Sequence, residues 1–308
     1  MIALVSAPTN LGLRPPEPGA VPGTAKAPEA LREAGLHRRF AEQGAADAGV
    51  VVPGRYVDDD ATRAPGVVRN ERAVIDHARR LADRIDTVLA SGAAPLVIGG
   101  DCSVLLGAGL AMKRRDGVGL VHVDGHTDFR NPGNSDVCAS VAGEDLAAAV
   151  GHHWPALADI DGAGPYFDAA RTAHVGCRDD DAELAEVRSV LGAVVPTSEW
   201  RARGTATVVK ALRTTAGAAG YWLQVDVDVL DAAVMPAVDS PDPGGCTPHE
   251  LIELLRALAP RAVGASITVY DPDLDPDGTH ARLLTEVLTA SLGGLGGELQ
   301  EPRPAADR

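Results

Sequence analysis

Short strand-like segments alternate with amphipathic helical segments along most of this 308-residue chain. The spacing of apolar residues predicts a helix over residues 70–90, a buried strand over 95–98 and a helix over 104–113. Repeated strand-helix units pair their strands in parallel and cover both faces of the sheet. The pattern therefore predicts a three-layer α/β/α fold with a mostly parallel sheet. Turn signals are spread evenly, so a single domain is expected over residues 1–308, with residues 293–308 as a frayed tail.

The remaining elements continue this alternation. Further strands are predicted at residues 2–6, 120–123, 173–176, 193–195, 221–228 and 263–268. Further helices are predicted at residues 28–34, 208–214, 248–258 and 281–292, and near Leu146 and Leu184. Residues 8–26 and 50–66 are predicted as loops, the second with one short strand.

Two carboxylates and an imidazole follow the strand that ends at Val123. Asp124, His126 and Asp128 stand in an irregular turn, where side chains can converge on one point as metal ligands must. An aspartate that caps a helix, with a polar loop behind it, explains this stretch equally well. The stretch alone leaves both interpretations open.

A second pair of carboxylates, Asp226 and Asp228, lies at the end of another apolar strand. Two aspartates on one strand face repel each other unless a cation or a proton lies between them. Placing an unpaired ion in an apolar segment costs several kcal/mol. Because carboxyl ends of parallel strands meet at one edge of the sheet, both clusters are expected to build one site. Metal ligation is therefore favoured over solvated strand ends.

The charge balance limits the partners that this chain can bind. The sequence has 43 acidic and 28 basic residues, and its net charge is −15. This excess argues against nucleic acid or an anionic membrane and is compatible with a cationic substrate. No apolar run is long enough to span a membrane, so a cytoplasmic protein is expected.

The cysteines do not form a recognisable framework. All four stand far apart, without a C-x-x-C pair: Cys102, Cys138, Cys177 and Cys246. Neither a set of disulfides nor a zinc ribbon is indicated, so reduced thiols are expected.

Three motifs together resemble the signatures of the ureohydrolases, the family of arginase and agmatinase. They are residues 99–103 (Gly-Gly-Asp-Cys-Ser), residues 124–128 (Asp-Gly-His-Thr-Asp) and residues 226–231 (Asp-Val-Asp-Val-Leu-Asp). Residues 28–32 resemble the N-terminal helix of the family, and residues 176–179 its central Gly-x-Arg-Asp strand. The resemblance covers nearly the whole chain.

The resemblance implies an arginase-like fold, a pair of Mn²⁺ ions and assembly into trimers or hexamers. The ions would activate a water molecule that attacks the guanidinium carbon of a small cationic substrate. The implied ligands are Asp124 and Asp226 for both ions, Cys102 and Asp128 for the first ion, and His126 and Asp228 for the second. Asp128 would also accept a proton during the reaction.

Cys102 stands where the family usually has a histidine ligand. A thiolate there favours softer ions such as Zn²⁺ or Fe²⁺ over Mn²⁺, or leaves the first site weak or empty. The alternative is a buried, inert cysteine beside a single-metal site that is built on Asp124, His126, Asp226 and Asp228. A branch of the family that acts on Nω-hydroxyarginine in D-cycloserine biosynthesis also has cysteine in this signature, and the chain resembles that branch more closely.

Two other family residues are absent. The proton-shuttling histidine expected after Asp128 is missing, and Glu144 is the candidate substitute, with His152 and His153 as alternatives. Val269 aligns with the glutamate that binds guanidinium in the family. A modified guanidine, another amidine or another C–N bond is therefore the expected substrate.

Three charged residues are candidates for substrate selection near the mouth of the site: Arg130, Asp181 and Asp271. Each is as well explained as a loop charge or a cap. A non-catalytic binding module on the same scaffold is the opposing interpretation. The retained carboxylates argue against it, because their mutual repulsion destabilises a fold that holds no metal.

Overall fold

A computed structural model describes residues 1–299 of the chain. These residues form eight strands: β1 Ile2–Ala7, β2 Ala46–Val50, β3 Ala94–Gly99, β4 Gly119–Val123, β5 Thr172–Val175, β6 Ala193–Val195, β7 Tyr221–Asp226 and β8 Ala262–Thr268. The strands build one sheet in the order β2-β1-β3-β8-β7-β4-β5-β6, and every pair of neighbours is parallel.

The described residues also contain eleven α-helices. They are α1 Ala27–Glu33, α2 Leu36–Glu42, α3 Glu71–Ala90, α4 Val104–Lys113, α5 Asp145–Ala149, α6 Pro155–Ala158, α7 Leu184–Val190, α8 Thr197–Arg203, α9 Thr205–Ala216, α10 Pro248–Leu258 and α11 Thr279–Ser291. Short 3₁₀ turns occur at Gly23–Lys26, Val141–Gly143, Ile160–Gly162, Ala169–Arg171, Val227–Val229, Ala259–Arg261, Pro272–Leu274 and Gly297–Leu299.

The sheet separates two hydrophobic clusters. The first contains the apolar faces of α1, α2, α9, α10 and α11, and the second contains those of α3, α4 and α5. Strands from the middle of the sheet contribute alternate residues to the two clusters, as in β4, where Leu120 belongs to the second and Val121 to the first. The prediction of a three-layer α/β/α fold with a parallel sheet is confirmed.

Strand order positions the site. The consecutive strands β3 and β4 are not neighbours, because β8 and β7 lie between them. Such a reversal in strand order opens a crevice at the carboxyl ends of the strands. The residues that follow β3, β4, β7 and β8 therefore face a common space.

Two helices have the predicted bounds, whereas several other elements were not predicted or were placed differently. The helix over 104–113 and the helix over 248–258 have the predicted bounds. Helices α2, α6 and α8 were not predicted, because each has only one or two turns and too few apolar residues to show a period. The strand expected within 50–66 lies earlier, at β2, an edge strand whose side chains are mostly exposed.

The predicted frayed tail is wrong for residues 293–299. Leu295 is buried in the first hydrophobic cluster, and the Gly296 N–H donates to Ala259 O. An exposed ion pair joins Glu298 to Arg213. The buried leucine and the backbone hydrogen bond hold this segment against the Ala259–Arg261 turn, despite its glycines. Residues 300–308 of the predicted tail lie outside the described residues.

No helix among residues 1–299 combines the length and apolar character that a bilayer-spanning segment requires.

Candidate metal centre

The loops after β4 and β7 are joined by hydrogen bonds between their aspartates and the backbone. Asp124 Oδ1 accepts the N–H of His126 at 2.7 Å, and Asp226 Oδ1 accepts the N–H of Asp228 at 2.9 Å. Asp228 Oδ1 crosses to the other loop and accepts the Gly125 N–H at 3.0 Å. These bonds place the carboxylates of both loops against one another, as the sequence predicted.

His126 lies between two carboxylates. It donates from Nδ1 to Asp228 Oδ2 at 2.8 Å and from Nε2 to Asp242 Oδ2 at 3.0 Å. Burial lowers its pKa, but the hydrogen bonds and negative charges of these partners outweigh burial and raise the pKa to about 10. Without a metal, His126 is therefore a cation that partly neutralises the acidic loops.

Four aspartates form the carboxylate cluster: Asp124, Asp128, Asp226 and Asp228. Burial and the charges of neighbouring carboxylates raise the pKa of Asp124, Asp128 and Asp226 well above the usual range. Burial also acts to raise the pKa of Asp228, but its bond to His126 holds the pKa below the ordinary value. The cluster requires protons or a cation to persist in this environment.

The donor set fits a divalent ion. One ligand atom from each of Asp124, His126 and Asp228 lies within 4.8 Å of the other two. Asp124 Oδ2 is buried and has no hydrogen-bond partner among residues 1–299. A buried carboxylate oxygen without a donor is costly unless a cation is bound to it. Oxygen and imidazole ligands in this combination suit Mn²⁺ and related ions.

Cys102 contacts the cluster as a hydrogen-bond donor. Its thiol lies 2.9 Å from Asp226 Oδ2, which also accepts a bond from the Thr268 hydroxyl at 3.0 Å. Burial and the charge of Asp226 raise the pKa of the thiol well above its ordinary value. Among the described residues, Cys102 belongs to none of the sets whose three ligand atoms lie within 4.8 Å. Its role as a ligand therefore stays a prediction.

A cavity of about 750 Å³ opens over the cluster. Its size suits a small-molecule substrate. Its lining includes two arginines, Arg14 and Arg130, and eight acidic side chains: Asp128, Asp181, Glu183, Asp226, Asp228, Asp239, Asp271 and Asp273. The excess of acidic groups favours a cationic occupant.

The three predicted substrate residues all line this cavity, but two of them have structural partners. Asp181 accepts bonds from the N–H and hydroxyl of Thr127 and from the Glu183 N–H. Asp271 accepts the N–H groups of Gly23 and Asp273. Both carboxylates thus organise the loops of the cavity wall.

Arg130 lies on the part of the cavity wall that is formed by the Val141–Gly143 turn. A Cβ added to Gly143 would lie 3.6 Å from Nη1 of Arg130, which places this guanidinium against the Val141–Gly143 turn. Its contact with a substrate stays a prediction.

The structure corrects the proposed shuttle role of Glu144. This side chain is fully buried, and it is not part of the cavity lining. Its Oε1 accepts the N–H groups of Ala139 and Ser140, and its Oε2 is bonded to His153 Nε2. Glu144 and His153 therefore hold the chain behind the cavity wall, and neither carboxylate oxygen is available to a substrate.

Sequence reasoning missed two residues that organise the metal centre. Asp242, in the loop after β7, is a second partner of His126. Arg178 donates to four backbone carbonyls of the same region, those of Asp228, Leu230, Asp242 and Pro243. The Gly-x-Arg-Asp motif marked Arg178, but nothing in its spacing indicated that it binds backbone.

Two further buried residues, His122 and Asp145, were also missed. His122 interrupts the apolar strand β4 two residues before Asp124, and this position was the one available signal. Asp145, at the start of α5, is indistinguishable in sequence from an ordinary first-turn acid.

Comparison with known proteins gives the same assignment as the fold and the motifs. The model of the arginase family matches residues 2–293. The chain is 28% identical over 283 residues to an arginase of Brevibacillus brevis, with 88% of this chain and 92% of that enzyme aligned. It is 30% identical over 217 residues to a guanidinopropionase of Pseudomonas aeruginosa, with 68% of this chain and 63% of that enzyme aligned. The arginase structure of Bacillus caldovelox superposes with a TM-score of 0.82 at 27% identity, covering 96% of this chain and 98% of that one. The chain therefore belongs to the arginase family.

Proposed function

We propose that this protein is a metal-dependent amidinohydrolase, which cleaves a C–N bond of a guanidino compound and releases urea or a urea derivative together with an amine. The observation that carries the proposal is the convergence of Asp124, His126 and Asp228 under an acidic cavity. Membership of the arginase family supports the same reaction class.

The carboxylate cluster and His126 would hold a pair of divalent ions, for which membership of the arginase family favours Mn²⁺. Bound divalent ions would acidify a water molecule and direct it to the guanidinium carbon. Zn²⁺ or Fe²⁺ is the alternative if the Cys102 thiolate is a ligand, and the site nearest Cys102 would then be weak or empty.

The chain's own residues supply substrate orientation and proton transfer. The acidic lining would attract the guanidinium group, and Asp128, the last residue of the second signature, would be the carboxylate in that lining that accepts a proton. Arg130, Asp181 and Asp271 would set the shape and charge of the cavity wall.

A modified guanidine is the proposed substrate. Val269 aligns with the family's guanidinium-binding glutamate, and it is buried in the first hydrophobic cluster and is not part of the cavity lining. Loss of that carboxylate removes a charge-assisted hydrogen bond of about 1.5–3 kcal/mol to an ordinary guanidinium group. A substituted guanidine, which brings its own additional polar group, depends less on this contact.

The direct experiment compares guanidino compounds with Mn²⁺-loaded protein. Arginine, agmatine, 3-guanidinopropionate and Nω-hydroxyarginine are incubated in turn, and release of urea or hydroxyurea and of amine is measured. We expect turnover that chelation abolishes, with Nω-hydroxyarginine preferred over arginine.

Asp228→Asn should lose at least 100-fold in rate, since it removes a charged ligand. The exposed Asp116→Asn, which does not line the cavity, should leave the rate unchanged. Metal-loaded protein that turns over no compound in an extended amidine panel would contradict the proposal and favour a binding module.

Two further expectations remain part of this proposal. Assembly into a trimer or hexamer can be read from the molar mass in solution. A cytoplasmic location can be tested by fractionation of the producing cells.

A further inference from the structure

We propose that the first metal ion is held by a buried group behind the cavity, His122 and Asp145 together with Asp128, and that Cys102 is not its ligand. The proposal rests on the metal-dependent function above and assigns the ligands of that site. We call His122, Asp128 and Asp145 the inner cluster.

The inner cluster has the spacing of a coordination shell. One ligand atom from each of its three members lies within 4.8 Å of the other two. His122 Nε2 lies 3.7 Å from Asp124 Oδ2 and 4.0 Å from Asp145 Oδ1. These separations are too long for hydrogen bonds. They match ligand atoms bound to one ion at about 2.1 Å, which lie roughly 3.0–4.2 Å apart.

Several polar atoms that face this space have no hydrogen-bond partner in the described part of the chain. His122 Nε2, Asp124 Oδ2 and both carboxylate oxygens of Asp145 are buried without a hydrogen bond. The side chains of His122 and Asp145 are 0% exposed. Four buried polar atoms without partners are uncommon in a folded core, and a bound cation would satisfy all of them at once.

The neighbouring strand orients the imidazole. His174 on β5 is in register with His122 on β4, and their Nδ1 atoms lie 3.0 Å apart. One of the two rings must donate in this bond. When His122 donates from Nδ1, its Nε2 presents a lone pair to Asp124 and Asp145. Histidine ligands are ordinarily fixed in this way, by donating the second ring N–H to a neighbour.

Cys102 has a different role under this assignment. Its thiol donates to Asp226 Oδ2, so it positions a shared carboxylate of the metal pair and contributes no thiolate. The first ion is then bound by oxygen and imidazole alone. Such a set lacks the thiolate that would favour softer ions such as Zn²⁺.

Metal content tests the proposal directly. Wild type, His122→Leu, Asp145→Asn and Cys102→Ala are loaded with excess Mn²⁺, freed of unbound metal and analysed for manganese per chain. Asp116→Asn, an exposed aspartate, is the control. We expect two ions per chain in wild type, Cys102→Ala and Asp116→Asn, and one in His122→Leu and Asp145→Asn. Electron paramagnetic resonance should show a coupled manganese pair in the first group and an isolated ion in the second.

The outcomes separate this inference from the function on which it rests. One ion in Cys102→Ala, or two in both His122→Leu and Asp145→Asn, would overturn the assignment while leaving a metal-dependent enzyme. A single ion in wild type would also contradict it. Absence of any bound metal would instead remove the proposed function.

A measurement on wild type does not depend on how the variants fold. Protein loaded with Co²⁺ should lack the near-ultraviolet charge-transfer absorption of a thiolate bound to cobalt. Appearance of that absorption in wild type, and its loss in Cys102→Ala, would place Cys102 on the metal and overturn the proposal.

Discussion

Arg178 is predicted to hold the loop that carries Asp228 and Asp242, so its replacement should weaken both the fold and the metal centre. Its guanidinium is largely buried, and it donates to the carbonyls of Asp228 at 3.0 Å, Leu230 at 3.3 Å, Asp242 at 2.7 Å and Pro243 at 3.2 Å. Methionine keeps most of the apolar length of the side chain and removes every donor.

The expected loss follows from the number of hydrogens available. Nη2 and Nε together offer three N–H groups to these four carbonyls, and a hydrogen bond from a charged group contributes about 1.5–3 kcal/mol. Removing the buried guanidinium also recovers part of its desolvation cost. The net decrease in the free energy of unfolding for Arg178→Met should therefore be about 3 kcal/mol.

Denaturant unfolding of metal-free protein measures this loss. The slope of the free energy of unfolding against denaturant concentration should be the same as in wild type. Arg72→Met, at an exposed position of α3, is the matched control and should change stability by less than about 0.5 kcal/mol. The affinity for Mn²⁺ should also fall in Arg178→Met, since Asp242 and Asp228 lose their backbone support. A stability equal to that of the Arg72 variant would refute the assignment of Arg178 to this loop.

Three further predictions concern the scaffold. Burial lowers the pKa of His77 to about 4 in the folded protein, whereas the unfolded chain has a histidine pKa of about 6.5. Between pH 4 and pH 6.5 the unfolded state therefore binds a proton at His77 that the folded state does not bind. The free energy of unfolding should therefore fall by about 3 kcal/mol as the pH decreases from 6.5 to 4, and His77→Gln should flatten that part of the profile. A Cβ on Gly107 would lie 2.9 Å from Leu81 Cβ where α4 crosses α3, so Gly107→Ala should lower the free energy of unfolding by about 1–3 kcal/mol in a denaturant titration. Thr247 and Glu250 form a capping box at the start of α10, so Thr247→Ala should lower the free energy of unfolding by about 1 kcal/mol. Thermal unfolding measures this decrease, and an unchanged midpoint would contradict it.

The layers of the fold could be predicted because the sequence pattern is local. In α3, Val74, Ala78, Leu81 and Ile85 recur at three- and four-residue spacing, and the structure buries all four. The edge strand β2 could not be placed, because its exposed side chains carry no alternation. Helices α2 and α8 are too short for a period to show.

Only part of the candidate metal centre could be predicted from the sequence. Asp124, His126 and Asp228 could be identified, because each follows a strand within a compact polar motif. Asp242 could not, since it reaches His126 from a loop whose path the sequence does not specify. The prediction for Glu144 was wrong, because closeness in sequence does not ensure that a side chain faces the site. It is near Asp128 in sequence, but the chain turns its carboxylate into the protein, where backbone N–H groups and His153 occupy it.

We infer that the loops after β4 and β7, which are remote in sequence, bring their carboxylates together around bound divalent ions. Crystals soaked in Mn²⁺ and measured at the manganese absorption edge test this most directly. We expect a strong anomalous peak within bonding distance of Asp124, His126 and Asp228, with a second peak nearby that shares a carboxylate with it. An anomalous map with no peak at these side chains, from crystals that took up manganese elsewhere, would contradict it.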